Sequence, residues 1–238
     1  MKNSIKLLLT LVLSVFVCAL SSGNTTPRSI DISSPNGAIH FLLATNNSQL
    51  TFSVTMNGKV IVGDSPLHMS VDGNEITNGI KTGKVQKFSA NESYTLFGLH
   101  SVAKNIFNGG SVALTSLKSK IKYSVEVRVF DDAVAFRFIV PGKPDVVRTP
   151  DESTVFKLPQ KSTVWYHNLY MHYEGVHEKK MVDTIPAGQW AAPPLTVKLA
   201  DNTGYLSITE ADLLNYAGMA LQSDGKNGFT LRLGNSHP

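Results

Sequence analysis

Apolar and polar residues alternate with a period of two over much of the chain, a pattern typical of β-strands with one buried face. Every second residue is apolar over 50–56, and the chain then turns at Asn57-Gly58 into Lys59-Val60-Ile61-Val62. Asn-Gly between two such runs is a strong signal for a β-hairpin. Asn36-Gly37 and Asp72-Gly73 predict further turns. Residues 29–63 are therefore predicted to form a series of hairpins.

A second hairpin is predicted in the middle of the chain. Every second residue from Tyr123 to Val129 is apolar, Asp131-Asp132 provides a turn, and a new alternating run starts at Val134 and ends at Pro141-Gly142. Adjacent strands with one apolar and one polar face predict an antiparallel sheet packed on one side. Between the two hairpins the alternation is weak, and we predict irregular strands and loops at 74–110.

A sustained helical period is missing from the sequence. The best helical candidate is one or two turns at 210–214. The chain is therefore predicted to be all-β with little helix, built as a sandwich of packed antiparallel sheets.

The first 22 residues have the pattern of a secretory signal peptide. Lys2 and Lys6 precede an apolar run at 7–20, and the chain turns polar at 21–26. The run is short for a transmembrane span, so we predict cleavage within 19–22 and export to the periplasm or medium. A lipid anchor on Cys18, the only cysteine, is a less favoured alternative. The lipobox is imperfect, because Val17 stands where that motif has a small residue.

The charge of the chain argues against nucleic acid as a partner. The net charge is +4, it falls to about +2 once Lys2 and Lys6 are removed, and no basic cluster is longer than Lys179-Lys180. The remaining residues, about 215, are enough for one core or for two closely joined sheets. Without Cys18 this portion has no disulfide, so its stability must come from apolar packing.

One carboxylate stands where the alternation predicts a buried position. Leu206, Ile208 and Glu210 share one face of a predicted strand. Burying an unpaired carboxylate is costly, so Glu210 must meet a cation, a dipole or water. One interpretation is a helix start, with Thr209 as N-cap and Asp212 at N3. The other makes Glu210 an oxygen ligand for a hard cation such as calcium, with the other ligands supplied from elsewhere.

Aromatic side chains crowd into residues 162–199. Trp165, Tyr166 and Trp190 suit either a platform that stacks on sugar rings or a sandwich core. Pro186 and the pair Pro193-Pro194 predict a rigid loop between them rather than a central strand.

Three histidines in the same region are weak candidates for a metal site. His167, His172 and His177 are five residues apart, and an odd spacing puts strand neighbours on opposite faces. Sequence motifs for a nucleophile elbow, a phosphate loop, a zinc metalloprotease or an EF-hand are missing, so no catalytic residue is assigned.

Several linked motifs resemble the N-terminal domain of glycoside hydrolase family 97. They run in the family's order from about residue 30 to the end of the chain. The matching segments are Ser33-Ser34-Pro35-Asn36-Gly37, residues 129–138, residues 152–159, Tyr173-Glu174-Gly175, residues 204–211 and residues 215–219.

This resemblance implies a galactose-mutarotase-like β-super-sandwich at 27–238 of an exported bacterial α-glycosidase. In the family this domain packs on a catalytic (β/α)8 barrel in cis and lends one glutamate to a calcium ion near the substrate pocket. Glu210 matches that glutamate. The paired carboxylates of glycoside hydrolysis lie on the barrel, which the sequence does not include, so this chain alone is expected to be inert. The substrate class implied is an α-linked glucoside or galactoside.

A second hypothesis treats the chain as a stand-alone periplasmic sandwich that binds carbohydrate without activity. A domain that packs on a barrel should expose a broad face that includes Glu210 and the loop from Trp165 to Trp190. A free binding module should instead present a compact groove with a few aromatic side chains.

Overall fold

The computed structural model describes residues 29–143, 145–169, 174–214 and 216–234. The predicted signal peptide with Cys18, and also His172, lie outside these ranges. The first ten strands are β1 (Ile30–Ser33), β2 (Ile39–Asn46), β3 (Gln49–Met56), β4 (Lys59–Pro66), β5 (Met69–Val71), β6 (Asn74–Glu75), β7 (Ile80–Thr95), β8 (Val102–Ser116), β9 (Lys122–Phe130) and β10 (Val134–Ile139).

The remaining strands are β11 (Pro150–Glu152), β12 (Val155–Lys157), β13 (Thr163–Tyr166), β14 (Glu178–Met181), β15 (Trp190–Ala191), β16 (Leu195–Lys198), β17 (Tyr205–Ile208), β18 (Met219–Ser223) and β19 (Gly228–Leu233). Within the described ranges the only helical segments are two short 3-10 turns, Val182–Thr184 and Ala200–Asn202. All the strand pairs are antiparallel. The all-β antiparallel prediction is confirmed. No described helix has the length and apolar character needed to cross a bilayer.

The first half of the chain forms one sandwich. Its two sheets have the strand orders β1-β2-β3-β4 and β10-β9-β8-β7, and a small sheet of order β11-β5-β6 closes one side. Their apolar faces share one core, in which Phe41 and Phe52 stack at 5.6 Å between ring centroids and Phe136 of the opposite sheet lies 5.1 Å from Phe52. The apolar residues of the alternating pattern therefore form the inner face of each sheet.

The second half forms another sandwich joined to the first. Sheets of order β12-β19-β18-β15 and β14-β13-β16-β17 enclose a core that includes Tyr166, Leu195 and Phe229. Phe156 packs against both cores. At the junction the backbone N–H of Lys157 donates a 2.9 Å hydrogen bond to Ser65 Oγ of β4. The two cores are therefore joined through side chains that both of them share.

The predicted hairpins are confirmed. β3 and β4 pair across Asn57-Gly58, whose φ angles of 50° and 74° are both left-handed. A two-residue turn with this geometry matches the twist of the strands, and asparagine and glycine accept it at little cost. Asp72-Gly73 has the same geometry, with φ of 53° and 75°. The second hairpin, β9 with β10, also forms as predicted.

The prediction of irregular structure at 74–110 is wrong. β7 and β8 form a hairpin of 16 and 15 residues, paired from Ile80–Ser116 to Thr95–Val102. β7 lies at the edge of its sheet, and toward the tip of the hairpin both of its faces are exposed. Because neither face is buried there, the sequence carries no alternation to reveal the strand. At the tip, Phe97 and Leu99 are 98% and 97% exposed.

Candidate functional site

Glu210 lies two residues beyond the end of β17. Ile208 is buried and pairs with Leu195 of β16, and Glu210, two residues on, is half-buried. Its Oε2 accepts a 2.8 Å hydrogen bond from the backbone N–H of Met219, the first residue of β18. The carboxylate therefore closes the loop 209–218 by bonding its two ends together.

The helix predicted at 210–214 does not form. Asp212 has a left-handed φ of 54°, and the N–H of Leu214 donates a 2.9 Å hydrogen bond to the Asp212 carbonyl oxygen, which makes a tight turn. A left-handed residue interrupts a right-handed helix after one step. The interpretation of Thr209 and Asp212 as capping residues is therefore wrong. Instead of capping a helix, the Glu210 carboxylate accepts a hydrogen bond from the Met219 N–H at the other end of the loop.

The second oxygen of Glu210 has no hydrogen-bond partner in the described part of the chain. Among the described residues no hydrogen bond reaches its Oε1. The loop that carries Glu210 is apolar and open, with Leu214 75% exposed and Leu213 and Tyr216 also exposed. A fixed carboxylate with one free oxygen beside exposed apolar side chains is an arrangement suited to an interface with another domain.

Metal binding at this position needs ligands from outside the described part of the chain. No group of three or more histidine, cysteine, aspartate or glutamate side chains within it is arranged to hold an ion. Glu210 itself fits calcium, since its free Oε1 is an anionic oxygen donor. Calcium takes six to eight oxygen ligands, so Glu210 can supply only a small part of such a site.

A second carboxylate, which the sequence analysis did not single out, lies near the same loop. Glu152 ends β11, and Thr154 Oγ1 donates a 2.9 Å hydrogen bond to its Oε1. Burial raises the pKa of Glu152 to about 7, although the bond from Thr154 acts in the opposite direction. Burial raises the pKa of Tyr216 to about 12, and the nearby charges of Glu152 and Asp151 add to this effect. Glu152 ends its strand and Thr154 lies between β11 and β12, so no strand periodicity in the sequence pointed to this pair.

The aromatic residues of 162–199 do not form one platform. Tyr166 is fully buried in the second core. Trp190 lies on the edge strand β15, so the proline-flanked segment is a loop with one two-residue strand. Of the three aromatic residues, Trp165 is the one on the outer face of its sheet. Its ring centroid is 6.4 Å from that of Tyr205. Tyr205 was missed as a partner because the pairing of β16 with β17 is not visible in the sequence.

Two of the three histidines, His167 and His177, contact each other. His167 is buried, and its ring contacts that of His177 edge to face at 5.1 Å. His167 Nδ1 lies 3.1 Å from the carbonyl oxygen of Asn168. His172 is not among the described residues. The described pair packs ring against ring, and the trihistidine hypothesis stays untested.

Fold and site together define a class of protein. The described part of the chain is an antiparallel double β-sandwich in which the Glu210 carboxylate is held beside an open apolar loop. The family model of the glycosyl-hydrolase 97 N-terminal domain matches residues 32–236. The chain therefore belongs to that family, as its motifs indicated.

Two curated relatives are α-galactosidases by name. A retaining alpha-galactosidase from Bacteroides thetaiotaomicron is 27% identical over 238 aligned residues, which cover 92% of this chain and 34% of the relative. A probable retaining alpha-galactosidase from Streptomyces bingchenggensis is 23% identical and is covered to 33%. The chain thus spans about a third of the length of these relatives.

Solved structures with the same fold include two enzymes. A glycoside hydrolase family 97 enzyme from Pseudoalteromonas sp. strain K8, in complex with acarbose, superimposes with a TM-score of 0.78 at 24% identity, over 86% of this chain and 32% of that one. A beta-arabinopyranosidase gives a TM-score of 0.72 at 19% identity, over 85% of this chain and 35% of that one. At these identities the likeness establishes the fold.

Proposed function

We propose that this chain is the non-catalytic N-terminal domain of an exported, calcium-dependent α-glycosidase. In this proposal it packs on a (β/α)8 catalytic barrel in cis and lends Glu210 to a calcium ion whose other ligands lie on the barrel. The substrate is an α-linked galactoside or glucoside. Export is supported by the basic and apolar pattern of residues 1–22.

The observation that carries the proposal is the state of Glu210. The bond from the Met219 N–H holds the carboxylate in place, so little side-chain freedom would be lost when an ion binds. The other oxygen is available, and the exposed Leu213 and Leu214 of the same loop provide apolar surface for a neighbouring domain. A carboxylate held by its own backbone and open on one side is suited to a shared site.

The substrate class is supported by the relatives. One is named retaining alpha-galactosidase and another probable retaining alpha-galactosidase, and one solved structure with this fold holds acarbose. In such enzymes the chemistry needs a pair of carboxylates about the glycosidic bond. Calcium, when bound, would supply positive charge near that pair, and the role of this chain would be to hold one oxygen ligand.

A chimeric enzyme tests the proposal. The N-terminal domain of the Bacteroides thetaiotaomicron relative is replaced by residues 29–234 of this chain, and hydrolysis of an aryl α-galactoside is measured against calcium concentration. Glu210→Gln should raise the calcium concentration for half-maximal activity at least about tenfold, since removing a charged ligand costs more than about 1.4 kcal/mol. Calcium-dependent thermal stabilisation of the chimera should weaken in parallel.

Asp212→Asn is the matched control. Asp212 lies on the same loop, is exposed and has a left-handed φ that asparagine tolerates, so its calcium response should match that of the unsubstituted chimera. If Glu210→Gln and Asp212→Asn gave the same calcium response, Glu210 would not be a ligand.

A stand-alone carbohydrate-binding sandwich is the second candidate. It is favoured by the contact between Trp165 and Tyr205 on an open sheet face. An active chimera with a Glu210-dependent calcium response would decide in favour of the glycosidase domain.

A further inference from the structure

We propose that the outer face of the β14-β13-β16-β17 sheet is a second carbohydrate-binding surface, on which Trp165 and Tyr205 stack against a pyranose ring of an α-linked oligosaccharide. This inference rests on the proposed function for the class of sugar. The surface is separate from the calcium position and lies on the face of the sheet that points away from the core.

The two aromatic rings form the centre of the surface. Trp165 on β13 and Tyr205 on β17 are separated by one strand, and their ring centroids are 6.4 Å apart with 34° between the ring planes. The inner face of the same strands is occupied by Val164, Val197 and Ile208, which are buried. Core packing therefore does not explain the outer pair, and Tyr205 remains 66% exposed.

Hydrogen-bonding groups surround the rings. The register places Lys179 of β14 and Thr196 of β16 on either side of Trp165, and Ser207 of β17 next to Thr196. Lys179 Nζ lies 5.4 Å from the Trp165 ring centroid. Within the described residues neither the Thr196 nor the Ser207 hydroxyl forms a hydrogen bond to protein. Both hydroxyls are therefore free to bond with sugar hydroxyls, while the Lys179 ammonium group is held over the Trp165 ring.

The combination indicates a sugar more than a purely apolar partner. Single exposed aromatic residues are ordinary, but here two rings meet on one face, and the surrounding side chains are polar or cationic. Aromatic faces match the C–H faces of a pyranose, and a rim of donors matches its hydroxyls. Lys179 and Lys198, on the same face, disfavour a cationic ligand.

Titrations of the full chain test the surface. Maltotetraose and an α-linked galactobiose are titrated by calorimetry in the presence of EDTA, so that calcium binding at Glu210 plays no part. We expect binding of at least one of them, and about tenfold weaker binding for Tyr205→Ala, the loss expected when one aromatic contact is removed. In Trp190→Phe, where Trp165 is the only tryptophan, the sugar should also change the tryptophan emission.

Tyr94→Ala is the matched control, because Tyr94 is an exposed tyrosine on β7, the edge strand of a different sheet. Its affinity should stay within twofold of that of the unsubstituted chain. Circular dichroism of both variants confirms the fold, since both side chains are exposed.

Three results would overturn the inference: no heat with either sugar up to its solubility limit, binding that Tyr205→Ala leaves unchanged, or equal weakening by Tyr94→Ala. The first would assign the aromatic face to a protein contact. None of them bears on the calcium proposal, which is measured in the chimera.

Discussion

The ionisation of Glu152 is expected to make the stability of this domain depend on pH. Burial raises the pKa of its carboxyl from 4.5 to about 7. The folded state therefore binds a proton that the unfolded state releases between these two values, and stability falls as pH rises through this range. Glu152→Gln keeps an oxygen that can accept the bond from Thr154 and removes the charge.

The magnitude follows from the two pKa values. The difference between 4.5 and about 7 corresponds to roughly 3 kcal/mol if the carboxylate is fully shielded. Because Glu152 retains some solvent exposure, screening reduces this to about 2 kcal/mol. For a domain of this size, about 2 kcal/mol shifts the melting temperature by about 4 to 8 °C.

The assay is thermal unfolding from pH 4 to pH 8, followed by circular dichroism. The chain and Glu152→Gln should melt at the same temperature near pH 4, and the variant should melt higher at pH 8. Asp151→Asn is the control, because Asp151 is an exposed neighbour on the same strand, and its melting temperature should follow that of the unsubstituted chain.

Two results would refute this reasoning. If Glu152→Gln melted lower than the unsubstituted chain at pH 8, the ionised carboxylate would be stabilising, which requires a cationic partner. If the difference in melting temperature were the same at pH 4 and pH 8, it would arise from packing and not from protonation.

Three further predictions concern activity, surface and packing. The isolated chain should not hydrolyse an aryl α-galactoside or α-glucoside, because the paired carboxylates are expected on the barrel; turnover by the purified chain, unaffected by repurification, would contradict this. Replacing Phe97 and Leu99 at the tip of the β7–β8 hairpin by serine should reduce aggregation in light scattering and leave stability within about 0.5 kcal/mol, since both side chains are almost fully exposed. Gly110→Ala should lower stability by about 1 to 3 kcal/mol, because an added Cβ would lie 2.3 Å from Ile32 Cδ1 between two sheets; Gly142→Ala, which meets nothing within 4 Å, should be neutral in the same denaturation assay.

The sequence by itself determined the strands that bury one face, their turns and the family. Alternation over 50–56 and 123–129 identified β3 and β9, because burial on one side of a strand imposes a period of two. Asn57-Gly58 identified its hairpin, because few residues accept two left-handed angles in succession.

Only the tertiary structure decided features that depend on which strands lie side by side. The long strands β7 and β8 escaped detection because toward the hairpin tip neither of their faces is buried, so the sequence there lacks periodicity. The loop at 210–214 has a helix-like sequence but forms no helix. The Glu210 carboxylate accepts a hydrogen bond from the Met219 N–H, and Asp212 has a left-handed φ angle. Trp165 meets Tyr205 across β16, and Glu152 lies near Tyr216. Such contacts come from strand register over long sequence separations, which local patterns do not encode.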